Sequence, residues 1–353
     1  MAFKTAAGYG NLPNGNFSPV IYSKKVQSAF RKTSIVEDIT NSDYFGEIAN
    51  FGDTVRIIKE PEITVQEYAR GTQVTPQDLT DDDFTLVVDK ANYFAFKIDD
   101  IEEAHSHVNF ESMASDRAGY RLKDQFDQEV LGYLSGFKQT ALSTVASTAN
   151  DVKSGTDPVT AGSDGLLSSM ELTHGDFASG GTAANSIAMS ASNASAVATP
   201  LAILNRMSRL LDQQNVDRDG RWVVVDPVFA EELNDENSKL LNNDFAGGQN
   251  AGDLLRNGRV ISGLIRGFRV YMSNNLPSIG TGASTIATAG SQTNFGVVVA
   301  GHDSAVATAS QVEKVETYRD NDSFADIVRG MHLYGRKILR PEALVRAKYN
   351  LYS

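Results

Sequence analysis

The chain has no cysteine and only one tryptophan in 353 residues. Neither disulfides nor thiol chemistry can contribute to it. Acidic residues are missing from the first 36 positions, where Lys4, Lys24, Lys25, Arg31 and Lys32 are the only charged side chains. Long apolar runs are missing too, and the opening MAFKTAAGYG lacks the apolar stretch of a secretory signal. The expectation is a soluble protein made in the cytoplasm, with no membrane partner. Phosphate-cradling loops are also lacking. GRVISGLIRG has no Gly-Lys-Ser/Thr ending, no Gly-x-Gly-x-x-Gly follows a strand, and there is no nucleophile elbow.

What is present is an uneven charge pattern around a net of −12. The acids gather in the middle, including Asp81, Asp82 and Asp83 and the stretch Asp99–Glu103, while Arg329–Lys348 is again basic-rich. Opposed blocks in one chain suit contacts between copies of that chain, although each block taken alone reads equally well as a solvated face. The length allows one large or two ordinary domains with real cores.

The chain is organised around Phe84–Phe137. FTLVVD and YFAFKIDD alternate with a period of two and predict strands with one well-buried face. From Glu111 the period becomes helical: Ala114, Ala118, Leu122, Phe126, Val130 and Leu134 recur every fourth residue, with Tyr133 and Phe137 between them. Asn109 is the expected N-cap of this long spine helix. Leu122, Phe126, Val130 and Leu134 are its expected core residues.

Before the spine, residues 1 to about 20 read as an extended arm, followed by short helices at Pro19–Arg31 and Asp43–Asn50. ITVQEY and FTLVVD flank the polar ARGTQVTPQDLTDDD and predict a long hairpin over Glu62–Asp89. A protruding two-stranded ribbon needs a surface to lie on. After the spine, Ser143–Thr199 is rich in small residues and reads as a loop or small β insertion peripheral to the fold, with LLSSMEL as a strand at its centre. Pro200–Asp212 predicts a helix, RWVVVD a buried strand closed by Pro227, and RVISGLI, FRVYM and NFGVVVAG further strands. Strands and helices do not alternate regularly, so an α+β class is expected.

Candidate chemistry is thin. His105 and His107 near Asp99, Asp100, Glu102 and Glu103 match no metal-site spacing and read as a solvated linker. Asp81–Asp83 lacks the glycine and distal glutamate of a calcium loop. His302, Asp303 and Ser304 hold triad residue types, but three near-adjacent positions cannot form the relay. No catalytic residue, metal site or cofactor is expected.

Taken in order, YFAFKIDD, RAGYRLKDQFDQEVL, RWVVVDP, NGRVISGLIRGFRVYMSNNLP and HLYGRKILRPEAL resemble the major capsid proteins of tailed bacteriophages, of the Hong Kong 97-type fold. The resemblance implies an N-terminal arm (1–54, with a short helix), an extended hairpin loop (55–92), and a peripheral domain with the spine helix (93–142). It also implies the insertion (143–199), an axial domain (200–301), and a return to the peripheral domain (302–353). It implies hexamers and pentamers closing into an icosahedral head around double-stranded DNA, located in the virion and assembled in the host cytoplasm. Implied partners are other copies of the chain, scaffolding, portal and decoration proteins, and packaged DNA touched without sequence preference. Lys24, Lys25, Arg31, Lys32, Arg70, Asp81, Asp82 and Asp83 are the expected contacts between subunits. An encapsulin-like compartment of the same fold and a surface-lattice protein are the alternatives. Some members of the fold link a hairpin lysine to a neighbour's asparagine. Between Glu62 and Asp89 this chain has Arg70 but no lysine, with Lys59 and Lys90 only at the base.

Overall fold

A computed structural model describes residues 34–42, 54–59, 63–71, 73, 76–78, 82–99, 110–136, 167–177, 186–190, 196–234, 264–276, 278–279, 295–321 and 323–351. In chain order the elements are α1 (Val36–Ile39), β1 (Thr54–Lys59), β2 (Asp82–Val87), β3 (Lys90–Asp99) and the spine helix α2 (Phe110–Ser135). Then come β4 (Glu171–Leu172), β5 (Ile187–Met189), α3 (Pro200–Gln213), β6 (Arg221–Val225), α4 (Pro227–Leu233), β7 (Arg269–Met272) and β8 (Ser278–Ile279). The chain closes with β9 (Phe295–His302), β10 (Val306–Arg319), β11 (Ala325–Ile338) and β12 (Leu344–Leu351). The class is α+β, as the irregular order of strand and helix patterns predicts.

RWVVV supplies the central strand because every one of its side chains is buried, the mark of a strand covered on both faces. Its sheet has seven strands along the path β4-β12-β9-β6-β7, with β5 beside β12 and β8 beside β9. Period-two alternation divides the core. Trp222, Val224, Val297 and Val299 face Val130, Leu131 and Leu134 of α2. Val223, Val225, Val298 and Ala300 face Leu204, Met207, Leu211, Phe229 and Leu233 of α3 and α4. The result is a helix–sheet–helix sandwich.

Local chemistry fixes the two covering helices. Thr199 caps α3 by accepting from the Ala202 amide at 3.3 Å, with Pro200 in the first turn. Asp226 ends β6 and caps α4, accepting from the Phe229 amide at 3.1 Å, with Pro227 next.

A second sheet, β10-β11-β3, is antiparallel throughout and carries the second half of α2 on one face. Phe126 meets Tyr334 edge-on at 4.9 Å between ring centroids. Gly330 is required beneath Phe94, whose ring would lie 2.3 Å from an added Cβ. Gly335 is required where the backbone of Val87 crosses β11, at 2.4 Å from an added Cβ. That crossing seats the base of the β1–β2 ribbon, with Leu86 and Val88 packed on Ala307, Ala309 and Leu339.

Several expectations need correction. FTLVVD pairs with Thr54–Lys59, Thr54 opposite Val87 and Lys59 opposite Asp82, and not with ITVQEY. The alternating TVRIIK places Val55 and Ile57 beside the Leu86 cluster, which ITVQEY does not reach. The Ser143–Thr199 insertion is not peripheral in its second half. Met170, Leu172, Ile187, Ala188 and Met189 are buried, and β4 and β5 run parallel to β12 in the larger sheet. LLSSMEL is a short 3-10 turn followed by the two-residue β4. The last strand, β12, lies in the larger sheet beside β9 and does not return to the β10–β11 sheet. The better-covered face of β3 is half-buried only. The short helices expected at Pro19–Arg31 and Asp43–Asn50, the Asn109 cap, Phe137 and most of RVISGLI lie outside the described residues.

Candidate functional site

Among the described residues, large apolar side chains stand in solvent on Ile63–Ala69, on one face of the smaller sheet and at its β10–β11 turn, and at positions such as Ile58, Leu264 and Met272. On Ile63–Ala69, an extended stretch outside every ladder, Ile63, Val65 and Tyr68 are exposed, Val65 by 94%. A side chain clasps this stretch to the later part of the loop: the Thr64 amide and hydroxyl both donate to Gln77 Oε1, at 3.1 and 3.0 Å. The face of β10-β11-β3 turned away from α2 carries Tyr93 and its register partner Met331, together with Tyr318. Tyr93 is 80% exposed there. Arg329 covers the Tyr318 ring at 4.8 Å while pairing with Glu316 at 2.9 Å. At the β10–β11 turn Phe324 is exposed, although Asp320 braces that turn through Lys97 and Ser323, each at 2.6 Å.

The expected contact residues fall unevenly. Arg70 is exposed in the turn that Gly71 closes with a φ of +93°. Asp83 is exposed and pairs with Arg56 at 3.4 Å. Asp82 stands opposite Lys59 at the end of the ladder. Lys24, Lys25, Arg31, Lys32 and Asp81 lie outside the described residues, as do His105, His107, Asp100, Glu102 and Glu103. Phe126, Val130 and Leu134 are buried; Leu122 is half-buried, because the first half of α2 extends past the sheet cores. Much of the basic C-terminal block turns inward. Arg346 is fully buried, donating to Glu171 at 2.6 Å and to the Ser135 carbonyl at 2.7 Å. Arg336 stacks on Tyr133 at 4.7 Å.

His302, Asp303 and Ser304 form a clasp between two turns, with no nucleophile–base–acid order. His302 Nδ1 meets Ser304 Oγ at 2.8 Å, and Nε2 meets the Asp219 carbonyl at 2.8 Å. Asp303 turns to Arg269, at 2.5 Å, instead of orienting the imidazole.

Sequence reading missed a buried polar knot beneath the surfaces. Asp127 of α2 is fully buried, and Oδ1 accepts from Ser34 Oγ and from the amides of Ile35 and Val36, each at 3.0 Å. Its Oδ2 accepts from Asn275 Nδ2 at 2.9 Å, and the same amide group donates to Asp124 Oδ1 at 3.0 Å. The available signal was an acid on the helical face shared with Leu131 and Leu134. A hollow of about 220 Å³ opens beside the knot, walled by Ser34, Tyr120, Lys123, Asp124 and Asn275. Its polar walls are already engaged: Arg121 and Gln128 donate to Asp124 at 3.2 and 3.3 Å, and Lys123 pairs with Glu37 at 2.9 Å.

Elsewhere, Asp226 and Tyr349 form a second buried pair, the tyrosine hydroxyl donating to the carboxylate. Burial raises the Asp226 carboxyl above its ordinary value, against the lowering effect of the bonds from Tyr349 and Phe229. Burial also pushes Tyr349 well up, with the Asp226 charge adding to it. Both are core groups inside the sandwich.

Comparison with known proteins accounts for this pattern of solid core and uncovered edges. A sequence model of the family described as phage capsid protein matches residues 59–347. The chain belongs to that family. Among curated proteins no significant relative is found. Solved structures share the fold at low identity. A structure titled for Mycobacterium phage Che8 is 24% identical, with 94% of this chain and 97% of that one covered at a TM-score of 0.65. The capsid of Ralstonia phage GP4 is 12% identical, with 99% and 98% covered at 0.63. The mature capsid of bacteriophage PhiM1 is 17% identical, with 94% and 91% covered at 0.61. The fold is the Hong Kong 97-type capsid fold, and the chain is a structural capsid protein, not an enzyme.

Proposed function

We propose that this chain is the repeating subunit of a tailed-phage head, closing as hexamers and pentamers into an icosahedral shell around double-stranded DNA. The observation that carries the reading is the extended stretch Ile63–Ala69. It exposes Ile63, Val65 and Tyr68 and uses none of its backbone in a ladder. An isolated stretch of this kind gains stability only by lying on another surface, and the uncovered sheet face with Tyr93 and Met331 shows that the subunit also offers apolar area. Copies of one chain bury such patches reciprocally. The basic residues Lys24, Lys25, Arg31 and Lys32 and the acids Asp81, Asp82 and Asp83 supply complementary charge between copies. Contact with DNA is non-specific, and scaffolding, portal and decoration proteins complete the head in the host cytoplasm. Subunits are held by buried area and charge pairing without covalent crosslinks, because no lysine lies between Glu62 and Asp89 and Lys90 sits at the ribbon base beside Asp89 at 3.7 Å.

Electron microscopy of the purified protein, with assay of nucleic-acid content in infected-cell particles, tests the reading. Closed shells containing DNA are expected. A flat lattice, permanent monomers, or shells filled with protein cargo would reject it. Particles boiled in detergent are expected to run as single chains.

A further inference from the structure

We propose that Asp127 is the positioning residue that fixes the start of α1 at Ser34–Val36, the root of the N-terminal arm in the sequence, and that shell assembly depends on this latch. The assembly part rests on the reading that the basic N-terminal arm acts between subunits.

The argument begins with α1. Its four residues are too few to be stable alone, and its first amides need acceptors. No side chain within the segment caps it. The cap comes from 91 residues further on: Asp127 Oδ1 receives the Ile35 and Val36 amides and the Ser34 hydroxyl together. The second oxygen holds Asn275 in the turn after β7. One buried carboxylate thus ties three parts, namely the start of α1, the spine helix and the larger sheet. None of these four bonds comes from a cation. The carboxylate is held by hydrogen bonds alone, so removing the side chain leaves the buried Ile35 and Val36 amides without their acceptor.

The downstream end of the same segment is held independently. Asn41 bridges to Ala307, Thr40 Oγ1 meets Thr308 Oγ1 at 2.9 Å, and Val36 and Ile39 are fully buried in the core shared with α2. Loss of Asp127 therefore removes the acceptor that holds Ser34 and the Ile35 and Val36 amides, while α1 stays attached through its buried side chains and the contacts of Thr40 and Asn41. The charged groups around the latch are Asp124, Arg121 and Lys123 on α2 and Glu37 on α1, and they pair among themselves. A fixed exit matters for assembly because a segment that must reach a neighbour binds best when its root is preorganised.

The test compares four full-length chains: wild type, Asp127→Ala, an arm with Lys24, Lys25, Arg31 and Lys32 all changed to Gln, and the combination. Hydrogen exchange on unassembled subunits reads the latch directly. In Asp127→Ala, which has no side-chain acceptor, the Ile35 and Val36 amides are expected to exchange at least tenfold faster, with Val130–Leu134 unchanged. Microscopy then counts closed shells. Asp127→Ala and the neutralised arm are each expected to lower the yield of closed shells at least tenfold, and the combination is expected to be no worse than either. Unchanged exchange at Ile35 and Val36 overturns the latch, as does an Asp127→Ala subunit too unstable to remain soluble. Normal shells from Asp127→Ala alongside defective shells from the neutralised arm overturn the assembly role and leave the arm reading standing. Normal shells from the neutralised arm overturn the arm reading and the latch's role with it. Additive defects in the combination show that Asp127 acts apart from the arm, and also overturn the proposal.

Discussion

Two strands with similar apolar content meet opposite fates in this subunit. In RWVVV of β6 all five side chains are buried, Trp222 completely. In KANYFAFKID of β3 exposed and half-buried residues alternate, and Tyr93 stands in solvent. The difference lies in what covers each sheet. The seven-stranded sheet has α2 on one face and α3 with α4 on the other. The three-stranded sheet has α2 on one face; on the other the ribbon base covers only the Gly335 end, and Tyr93, Met331 and Tyr318 stand in solvent. The larger sheet holds the subunit together; the smaller one, with the ribbon and its extended loop, leaves apolar area for copies of the chain to cover.

If that division is right, the largest effect comes from removing strands of the covered sheet. Replacing residues 167–199 with a Gly/Ser linker deletes β4 and β5 and empties the sites of Met170, Leu172, Ile187 and Met189. Each buried apolar side chain contributes roughly 1.5–3 kcal/mol, so the total is comparable to the whole stability of an ordinary domain. The expected outcome is no soluble protein. A soluble, cooperatively folding variant would break the comparison.

Next comes Phe126→Asp, which places an unpaired charge against Tyr334 and the α2 core. A cost of several kcal/mol is expected, roughly the range for severe core changes, and the variant should accumulate as aggregates. Urea unfolding of any soluble fraction measures it. Glu171→Ala should cost about 3 kcal/mol, since it takes away the carboxylate that accepts from the buried Arg346 guanidinium at 2.6 Å. A loss below about 1 kcal/mol by urea unfolding would show that the ion pair contributes little.

These expectations also mark what sequence could and could not reveal. RWVVV reads as a doubly covered strand because its run is continuous and ends at Asp226-Pro227. Helix α3 reads correctly because its cap and its apolar spacing agree. The Ser143–Thr199 segment misleads because its few large residues, Met170, Leu172, Ile187 and Met189, are scattered among Ser, Thr, Ala and Gly. Composition does not show that β12 provides an edge for them. The ribbon misleads because TVRIIK and ITVQEY have equal claim as partners for FTLVVD, and only the Leu86 cluster decides between them. Asp127 was hidden since its partners are backbone amides near position 35 and an amide at 275.

On the open surfaces the effect on the subunit should be small and the effect on assembly large. Val65→Ser combined with Tyr93→Ser is expected to change unfolding stability by no more than about 0.5 kcal/mol, the usual range for surface positions. The same variant should lose most closed shells by microscopy. A clear fall in stability would mean that these side chains are already covered within one subunit.

The smallest expected effect concerns pH within the covered sheet. Asp226 is buried, its Oδ2 has no hydrogen-bond partner, and burial holds its carboxyl above the ordinary value of 3.8. A carboxyl raised in the folded state binds its proton more tightly there than in the unfolded chain. Its contribution to stability is then full below the unfolded value and is lost as pH rises through the folded one. Asp226→Asn keeps the acceptor for the Phe229 amide and cannot ionise, so it removes only the titration. Wild type should therefore lose urea stability relative to Asp226→Asn as pH climbs from below 3.8, and the difference should level off once Asp226 is ionised. Parallel curves for the two proteins across the whole acid range would show that Asp226 keeps its ordinary acidity despite its burial, with Tyr349 and the Phe229 amide stabilising the charge as well as water does.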